Sequence, residues 1–296
     1  MGTLYRLAEV VERHFAWKVR ERKRSDRNPL LVTFQDKCAA KLYAAARGVG
    51  SAKLLWVTND PTTLPFDHLP SNFFIKATHG QSWNIRCTES GLYHDRSQAD
   101  AGRQSPILTR EACIALCLSW LGRSYSASEW AYSQIEPRLI VERSLTPRTG
   151  TQLFDYRFYT FGGKVRAISL GSPHYRRHGL NIFLTPDWQV ITLSRYAEAL
   201  PPHLPKKPET LGAMIAAAER LAQDSDFVRV DLYDSAEGIM LGELTVYPQG
   251  GRVGTPSGCP VFNRWLGAQW VLSPQPRTFA DNGRAQTSRK AGASNA

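Results

Sequence analysis

The feature that most constrains the fold is a pair of alternating segments near the C-terminal end of the chain. Residues 227–233 and 239–246 are rich in Val, Leu and Ile, and a turn containing Gly238 separates them. Successive side chains of a strand point to opposite faces of a sheet, so an alternating segment predicts a strand with one buried face. The two segments therefore predict a hairpin whose second face carries polar residues.

The rest of the chain mixes helices and strands without strict alternation. Helical spacing of apolar residues predicts helices at residues 3–17, 36–47, 109–121 and 208–222. Short apolar segments predict strands at residues 54–57, 73–77 and 139–142, the first two of them buried, and residues 155–161 and 165–170 predict a hairpin across Gly162-Gly163. This pattern favours an α+β fold with antiparallel sheets over a doubly wound parallel sheet. The sequence contains neither a GxxxxGKS/T nor a GxGxxG motif, so a nucleotide site would have to be of another kind.

The formal net charge of +11 at pH 7 favours anionic partners such as nucleotides, acidic sugars, nucleic acid or a membrane surface. Part of the excess lies in residues 18–27, just before a turn predicted at Asn28-Pro29, and part lies after Ser273. Nucleic-acid binding would require interleaved aromatic residues or a recognisable module, and neither is found. A solvated basic face is the favoured explanation for most of this charge, and the polar tail at 273–296 is predicted to be disordered.

Nothing in the sequence predicts export or membrane insertion. Charged residues interrupt the partly apolar N-terminus, which argues against a secretory segment. No stretch approaches the ~20 apolar residues that crossing a bilayer requires. We therefore expect a cytoplasmic protein.

Charged residues on the predicted C-terminal hairpin form a candidate metal site. Alternation places Arg229 and Asp231 on one face of their strand, and Glu243 and Thr245 on one face of the next. If the strands pair, we expect Asp231 and Glu243 to be diagonal neighbours with Cβ atoms roughly 7 Å apart. Such carboxylates suit Mg²⁺, and Arg229 could neutralise a transferred phosphoryl group. A solvated strand face with an Arg–Glu pair explains the spacing equally well.

Two further motifs carry basic residues that suit anionic ligands. Lys76 ends an apolar strand and precedes the small polar loop Thr-His-Gly, so it could contact a phosphate beside backbone N–H groups. Lysines at strand ends are common, so this position alone is weak evidence. Arg176 and Arg177, within His174-Tyr-Arg-Arg-His178, could offer bidentate contacts to an acidic substrate, although a solvated basic loop is the commoner explanation of such a segment.

Two of the lysine-bearing segments resemble the nucleotide-binding elements of ATP-grasp enzymes such as D-alanine–D-alanine ligase and biotin carboxylase. Asp36-Lys37-x₃-Lys41, followed by Gly48-Val49, resembles the opening of those enzymes, which implies that Lys37 binds phosphate. Lys76 and the loop after it are similar to their second lysine and its mobile glycine-rich loop. The sequence Gln-Ser-Trp replaces the usual glycines of that loop, which leaves open how it covers phosphates.

The acidic motifs of the same enzymes also have counterparts. The strand that ends at Glu142 resembles the strand leading into their adenine-binding hinge. Arg229-x-Asp231 and Glu243-x-Thr245 resemble the paired R-x-D and E-x-N motifs that hold Mg²⁺. Thr245 stands where the second motif usually has asparagine, which implies a less direct or water-mediated contact with the metal.

The chain is most similar to the TupA-like branch of the ATP-grasp proteins, named for teichuronopeptide biosynthesis. Six motifs match almost in register and in the same order between about residues 36 and 270: FIKATHG, PRLIVER, DYRFYTFGGK, FVRVDLY, GELTVYP and FNRWLG. The resemblance implies an ATP-grasp fold in which two α+β subdomains, at 72–142 and 143–272, clamp ATP after an N-terminal helical segment at 1–71.

The resemblance also implies a function and a set of roles. The expected reaction is a Mg²⁺- and ATP-dependent ligation of a carboxylate to an amine through an acyl phosphate, joining an amino acid to an acidic sugar or peptide of a cell-surface polysaccharide. Asp155-x-Arg157 resembles a D-x-R pair of related ligases, which serves ribose or substrate binding or forms a structural ion pair. The implied roles are catalysis for Arg229, Asp231 and Glu243; metal binding for Asp231, Glu243 and Thr245; nucleotide binding for Lys37, Lys76, Glu142 and Asp155; and substrate binding for Arg157. Substrate binding by Arg176 and Arg177 is expected from their charge and adjacency, independently of the resemblance.

Other functions stay open at the level of sequence. An ATP-binding protein without ligase activity, acting in glycan assembly, would need the fold alone, but the presence of Arg229, Asp231 and Glu243 together argues against it. A sugar phosphotransferase with the same fold would need no amine. Nucleic-acid binding through residues 18–27 would show as a steep dependence on salt. The sequence leaves the substrates and the oligomeric state undetermined.

Overall fold

The computed structural model describes residues 14–94, 107–150, 152–170, 176–177, 180–192, 206–252 and 259–272. Its α-helices are α1 (Phe15–Ser25), α2 (Pro29–Gln35), α3 (Lys37–Ala45), α4 (Arg110–Leu121), α5 (Trp130–Ser133), α6 (Leu211–Ala222) and α7 (Pro260–Ala268). Its strands are β1 (Gly50–Ser51), β2 (Leu54–Thr58), β3 (Phe73–Ala77), β4 (Asn84–Thr88), β5 (Gly91–His94), β6 (Ile107–Leu108), β7 (Leu139–Arg143), β8 (Asp155–Phe161), β9 (Lys164–Leu170), β10 (Arg176–Arg177), β11 (Leu180–Asn181), β12 (Phe183–Leu184), β13 (Phe227–Ser235) and β14 (Gly238–Thr245). Single 3₁₀ turns lie at Pro61–Thr63, Phe66–His68 and Pro248–Gly251.

Two six-stranded sheets organise these elements. The large sheet has the strand order β1-β14-β13-β8-β9-β12, and the small sheet has the order β2-β7-β3-β4-β5-β6. All pairs are antiparallel except the pair of β1 with β14, which is parallel. Helices α1, α2, α3, α6 and α7 share one apolar core with the large sheet, whereas α4 shares a second core with the small sheet. The α+β class expected from the sequence is confirmed.

Both predicted hairpins are present. Gly162 and Gly163 have φ angles of 55° and 74°, the backbone conformation that a two-residue turn between β8 and β9 requires. In the β13–β14 hairpin, Asp231 lies opposite Glu243 but Leu232 lies opposite Leu241, so Gly242 is an extra, bulged residue. The expected diagonal placement of Asp231 and Glu243 is therefore wrong. Because the bulge shifts the register by one residue, it turns Glu243 to the same face as Asp231 and directly opposite to it.

Capping residues fix three of the helices where the sequence predicts boundaries or turns. Asp36 accepts hydrogen bonds from the backbone N–H of Cys38 and Ala39 at the start of α3, and Thr109 accepts one from Ala112 at the start of α4. The turn predicted at Asn28-Pro29 is instead the start of α2, where Asn28 caps the helix and proline occupies its first turn. The helix predicted at 3–17 falls largely on residues outside the described part of the chain.

The basic segment at 18–27 does not form a wholly solvated face. It belongs to α1, in which Phe15, Val19 and Arg22 fall on one buried stripe. Arg22 is buried, donates hydrogen bonds to the side chain of Asp226 and to the carbonyl of Phe227, and places its guanidinium 4.5 Å from the ring centroid of Trp270. A buried cation needs such partners, and these contacts fasten α1 to the large sheet.

The strand predicted at residues 54–57 is present, but the expectation that it is buried is wrong. Strand β2 is not buried but forms an edge of the small sheet, with Trp56 40% exposed. An apolar run does not distinguish an edge strand from a central one. The two short strands β1 and β2 belong to different sheets, although only Ala52 and Lys53 separate them. The boundaries at 71/72 and 142/143 stay predictions. None of the described helices has the length and apolar composition that spanning a bilayer requires.

Candidate functional site

A polar pocket of about 250 Å³ lies where the two sheets and the α2–α3 corner meet, and we call it the central pocket. Each of the three units supplies part of its wall. The small sheet and the loop after β3 contribute Lys76, Gln81, Ser82, Asn84, Ile140 and Glu142. The helices contribute Phe34, Gln35, Lys37, Ala40 and Lys41, and the large sheet contributes Asp155, Arg157, Arg229, Asp231, Tyr233, Leu241, Gly242, Glu243 and Leu244.

The wall formed by the large sheet carries charges of alternating sign. Strand pairing places Asp231 between Arg157 on β8 and Glu243 on β14. Arg229 donates through Nε to one oxygen of Asp231 at 2.7 Å and through Nη2 to the other at 2.5 Å, and its Nη2 lies 3.7 Å from Glu243. Arg157 bonds the neighbouring Asp155 at 2.8 Å. The Arg–Glu pair of the alternative interpretation is present, but this face is a pocket wall and is not openly solvated.

Burial acts in opposite directions on the pKa values of Asp231 and Arg229, which form an ion pair. It raises the pKa of Asp231 to about 7, although Arg229 pulls in the other direction. Burial by itself would lower the pKa of Arg229, but Asp231 holds it well above its ordinary value, so the guanidinium stays charged. Because Nε and Nη2 of Arg229 both donate hydrogen bonds to Asp231, this arginine holds the Asp231 carboxylate in place.

The donor set of this wall fits a hard cation that also binds phosphate. Glu243, with its side chain 33% exposed, faces the pocket, and Oδ1 of Asp155 has no hydrogen-bond partner in the described part of the chain. Carboxylate oxygens are the ligands Mg²⁺ prefers, with phosphates completing its shell. Thr245 is buried with an unpartnered Oγ1 but is not among the residues that line the pocket. Within the described ranges, no group of three or more His, Cys, Asp or Glu residues is placed to hold a metal ion, so the protein would supply at most two carboxylates.

The opposite wall is cationic and is organised by Glu142. Its carboxylate forms ion pairs with Lys76 on β3 and, at 2.7 Å, with Lys41 on α3. Burial alone would raise the pKa of Glu142, but Lys76 and Lys41 outweigh it and lower the pKa to about 2. Lys41 belongs to the quoted Asp36-Lys37-x₃-Lys41 motif, yet the sequence did not assign it a role. Lys41 lies one helical turn after Lys37, and this spacing could have indicated that both lysines lie on the same face of the helix.

Lys37 connects the helices to the loop after β3. Its ammonium group donates to the carbonyl of Gly80, and its backbone N–H donates to the carbonyl of Thr78 at 3.4 Å. Burial lowers the pKa of Lys37. These contacts place its charge on the same wall as the loop residues Gln81 and Ser82, which also line the pocket.

The loop after β3 is packed through aromatic rings. His79 is buried, its Nε2 lies 3.0 Å from the carbonyl oxygen of Trp120, and its ring meets that of Trp83 edge-on at 5.3 Å. Trp83 in turn lies parallel to Trp120 at 6.4 Å. A Cβ on Gly80 would fall 2.5 Å from the Trp83 ring, so the close approach of this ring requires glycine there. The role of this loop as a phosphate lid stays a prediction.

A second pocket, of about 270 Å³, adjoins the central pocket, and we call it the adjoining pocket. The two share Lys76, Asn84, Glu142, Tyr233, Leu241 and Gly242. Beyond these, mainly apolar side chains line the adjoining pocket: Ala52, Phe74, Leu145 and Leu153, with Arg143. The charged pocket thus continues into one with apolar side chains on its far side, an arrangement that suits a ligand with a flat ring and an anionic tail.

The structure brings together most of the site residues that the sequence singles out. Lys37, Lys76, Glu142, Asp155, Arg157, Arg229, Asp231 and Glu243 all line the central pocket. For Arg176 and Arg177 only the backbone is described, in strand β10, and His174 and His178 lie outside the described residues. The functional roles of all these residues stay predictions. Sequence patterns missed Gln35 and Asn84, whose side chains carry no motif.

The low pKa of Glu142 makes a prediction about stability. Because the pKa in the folded chain is about 2 and the ordinary value is 4.5, ionised Glu142 stabilises the fold above pH 4.5, and this contribution is lost as the pH falls toward 2. We expect the difference in unfolding free energy between wild type and Glu142→Gln to be constant above pH 5 and to shrink by up to about 1.4 kcal/mol per pH unit below 4.5. Urea titrations at pH 6, 4.5 and 3 measure it. A difference that does not change with pH would contradict the assignment.

Comparison with known protein families identifies one family. The model of the family described as TupA-like ATPgrasp matches residues 17–271. A search of curated proteins finds no significant match. Similar solved structures include a D-alanine–D-alanine ligase from Bacillus anthracis complexed with ATP (12% identity, TM-score 0.39, covering 74% of this chain and 56% of that one) and the D-alanyl-alanine synthetase A from Vibrio cholerae (14%, 0.41, 87% and 65%). An L-amino acid ligase from Bacillus licheniformis is a further one (12%, 0.42, 74% and 44%). The chain spans less than two thirds of the length of each of these proteins.

Proposed function

The chain belongs to the TupA-like ATP-grasp family, and we propose that it is an ATP-dependent carbon–nitrogen ligase, which activates a carboxylate as an acyl phosphate and transfers the acyl group to an amine. The family resemblance drawn from the six motifs is confirmed over a longer range than those motifs covered. The observation that carries the mechanism is the central pocket, in which a cationic wall faces an acidic one.

The two pockets together suit ATP. The adenine ring would lie in the adjoining pocket beside the apolar side chains of Phe74 and Leu145, with the phosphates in the central pocket. There, Lys37 and Lys76 supply positive charge to the phosphate oxygens. Both lysines are paired in the free protein, with Gly80 and Glu142, so these contacts hold them ready for the nucleotide.

Asp231 and Glu243 would hold Mg²⁺, and Asp155 lies on the same wall, where it can contact the nucleotide. When bound, Mg²⁺ neutralises charge on the β- and γ-phosphates. Arg229 keeps the carboxylate of Asp231 oriented, and Arg157 does the same for Asp155. Phosphoryl transfer depends mainly on positioning and electrostatic stabilisation, so the pocket needs no nucleophilic side chain.

The proposed reaction has two steps. A carboxylate oxygen attacks the γ-phosphorus, the bond from this phosphorus to the bridging oxygen breaks, and ADP leaves. The amine nitrogen then attacks the acyl carbon, and the bond from this carbon to the phosphate oxygen breaks. Phosphate leaves, and the nitrogen of the new amide loses one proton. The cations of the pocket stabilise the charge that develops at each leaving oxygen.

For the substrates we propose an amino acid and an acidic sugar or peptide of a cell-surface polysaccharide, handled in the cytoplasm. The net charge of +11 and the pair Arg176-Arg177 support an acidic substrate. Arg157 at the pocket wall is a further candidate contact. No observation on the described residues favours the phosphotransferase or the non-catalytic alternative over the ligase.

The products of ATP test the reaction class. With a panel of uronic and amino acids as carboxylates and hydroxylamine as the amine, we expect ADP, phosphate and a hydroxamate. Because the carboxylate oxygen leaves with the phosphoryl group, oxygen-18 in the acid should appear in the released phosphate. AMP and pyrophosphate would exclude the acyl phosphate, and a stable phosphorylated product formed without an amine would indicate a phosphotransferase. ATP binding without turnover across the panel would favour the non-catalytic alternative.

A further inference from the structure

Gln35 is a buried amide in the wall of the central pocket with no part in the proposed chemistry so far. It is the last residue of α2, its side chain lines the pocket, and the residue is only 3% exposed. Neither Oε1 nor Nε2 has a hydrogen-bond partner in the described part of the chain. Buried amides in folded proteins are nearly always paired, so this exception calls for an explanation.

The backbone around Gln35 is held in place on both sides. The next residue, Asp36, donates its N–H to the carbonyl of Val32 at 2.9 Å and caps α3 through the N–H of Cys38. Asp36 also accepts a hydrogen bond from Arg138 at 3.2 Å. Helix α2 packs against β14, the strand that carries Glu243. The end of α2 that carries Gln35 is therefore fixed beside the strand that carries Glu243.

The chemistry of the unpaired atoms narrows the identity of the missing partner. A carboxamide offers donors on Nε2 and an acceptor on Oε1, so pairing both atoms requires a ligand that also donates. Phosphate groups and an ionised carboxylate only accept. The nucleoside has donors, but Gln35 does not line the adjoining pocket proposed for it. Of the groups that react in the proposed ligation, only the amine donates hydrogen bonds.

We propose that Gln35 binds the amine substrate: Oε1 accepts an N–H of the attacking nitrogen, and Nε2 donates to an oxygen beside it. This proposal rests on the proposed ligase function. Because Oε1 accepts a hydrogen of the amine, the lone pair of the nitrogen stays available to form the bond to the acyl carbon. Gln35 and Lys37 flank Asp36, so the amine would arrive next to the lysine that contacts phosphate.

Kinetics with hydroxylamine as the amine, ATP and an acid that supports turnover test the role. For Gln35→Met, which keeps the length but removes both polar atoms, we expect KM for hydroxylamine to rise at least about ten-fold, because the hydrogen bond from the attacking nitrogen to Oε1 alone is worth about 1.4 kcal/mol. The KM values for ATP and for the acid should stay within about two-fold. Gln35→Glu retains an acceptor oxygen and should recover most of the loss. A rise in KM for the acid or for ATP, with KM for hydroxylamine unchanged, would overturn the assignment.

Thermal unfolding of the free protein separates this role from a structural one. Gln35→Met removes no hydrogen bond within the described chain, so we expect its Tm to equal or exceed that of wild type. The matched control is Asn263→Leu, because Asn263 is an equally buried amide whose oxygen accepts the N–H of Ala16 at 2.9 Å. This control should lower Tm. A comparable fall in Tm for Gln35→Met, with KM for hydroxylamine unchanged, would make Gln35 a structural residue.

Isotope exchange distinguishes failure of this inference from failure of the ligase proposal. With acid but no amine, reversible acyl phosphate formation scrambles oxygen-18 between the bridging and non-bridging positions of the β-phosphate of ATP. We expect equal scrambling rates in wild type and Gln35→Met, since the amine takes no part in this step. Absence of scrambling in wild type across the acid panel would reject the ligase proposal and the role of Gln35 with it. Normal scrambling together with an unchanged KM for hydroxylamine in Gln35→Met would reject the role of Gln35 alone.

Discussion

Replacing Glu243 with Gln is expected to lower kcat of the ligation by a factor on the order of 10²–10³ and to leave the fold intact. The carboxylate of Glu243 lies directly opposite Asp231 and is the more exposed of the two, so its charge is available to a cation in the pocket. Its contact with Arg229, at 3.7 Å, is long, so its loss should cost little stability. Steady-state release of ADP at saturating ATP and Mg²⁺ measures the effect.

Asp231→Asn tests the same site, but this substitution should also lower the stability of the fold. Turnover should fall at least as far, but Asp231 also neutralises the buried Arg229, and an unpaired buried cation is strongly destabilising. Its unfolding midpoint must therefore be measured beside its activity. Asp234→Asn is the matched control, because Asp234 lies on the same strand and pairs with Arg148 at 2.6 Å, away from the central pocket. Turnover near the wild-type value in both Glu243→Gln and Asp231→Asn would remove the metal assignment.

Lys76→Met is expected to weaken ATP binding roughly 10- to 100-fold, since a charge-assisted hydrogen bond is worth about 1.5–3 kcal/mol. Lys76 lies at the junction of the two pockets, where the phosphates of a nucleotide bound in the adjoining pocket would begin. The substitution also leaves Glu142 with Lys41 as its remaining ion-pair partner within the described residues. Repulsion between this carboxylate and the phosphates adds to the loss. Isothermal calorimetry with ATP and Mg²⁺ gives the dissociation constant.

The control for this experiment is a lysine of the same charge and outside the pocket. Lys164 begins β9 and pairs with Glu219 at 2.7 Å on the surface, so Lys164→Met should bind ATP as wild type does. Lys37→Met should also weaken binding, since its ammonium lies on the same pocket. Equal ATP affinity in wild type, Lys37→Met and Lys76→Met would show that neither lysine contacts phosphate.

Local patterns predicted the parts of the fold that local chemistry determines. The glycine pair at 162–163 and the helix start at Thr109 each carry a backbone requirement that the sequence displays. The bulge at Gly242 does not show in the alternation, because it depends on how β14 pairs with β13. Burial of Arg22 likewise depends on Asp226 and Trp270, more than 200 residues away in the chain. Such contacts exist only after the sheets have formed.

The same distinction applies to the candidate site. Residues within recognisable motifs, such as Lys37, Asp231 and Glu243, were singled out from the sequence and all reach the central pocket. Gln35 was not, because a lone glutamine at the end of a helix carries no signal; its importance lies in being buried without a partner. Lys41 was quoted in a motif, but its pairing with Glu142 requires α3 and β7 to be adjacent.

The route of the chain from Gly50 to Thr58 determines how this protein can be divided into pieces. One edge strand of each sheet comes from this short stretch, with two residues between them. Lys37 and Lys41 precede this stretch, whereas Glu142, Asp231 and Glu243, which line the same pocket, come much later in the sequence. A truncated gene that began at residue 72 would therefore encode two sheets that have each lost an edge strand, and a pocket that has lost five of its twenty lining residues. Fusion partners and affinity tags belong before α1 or after α7, because α1, α2 and α3 complete the core of the large sheet and the pocket wall.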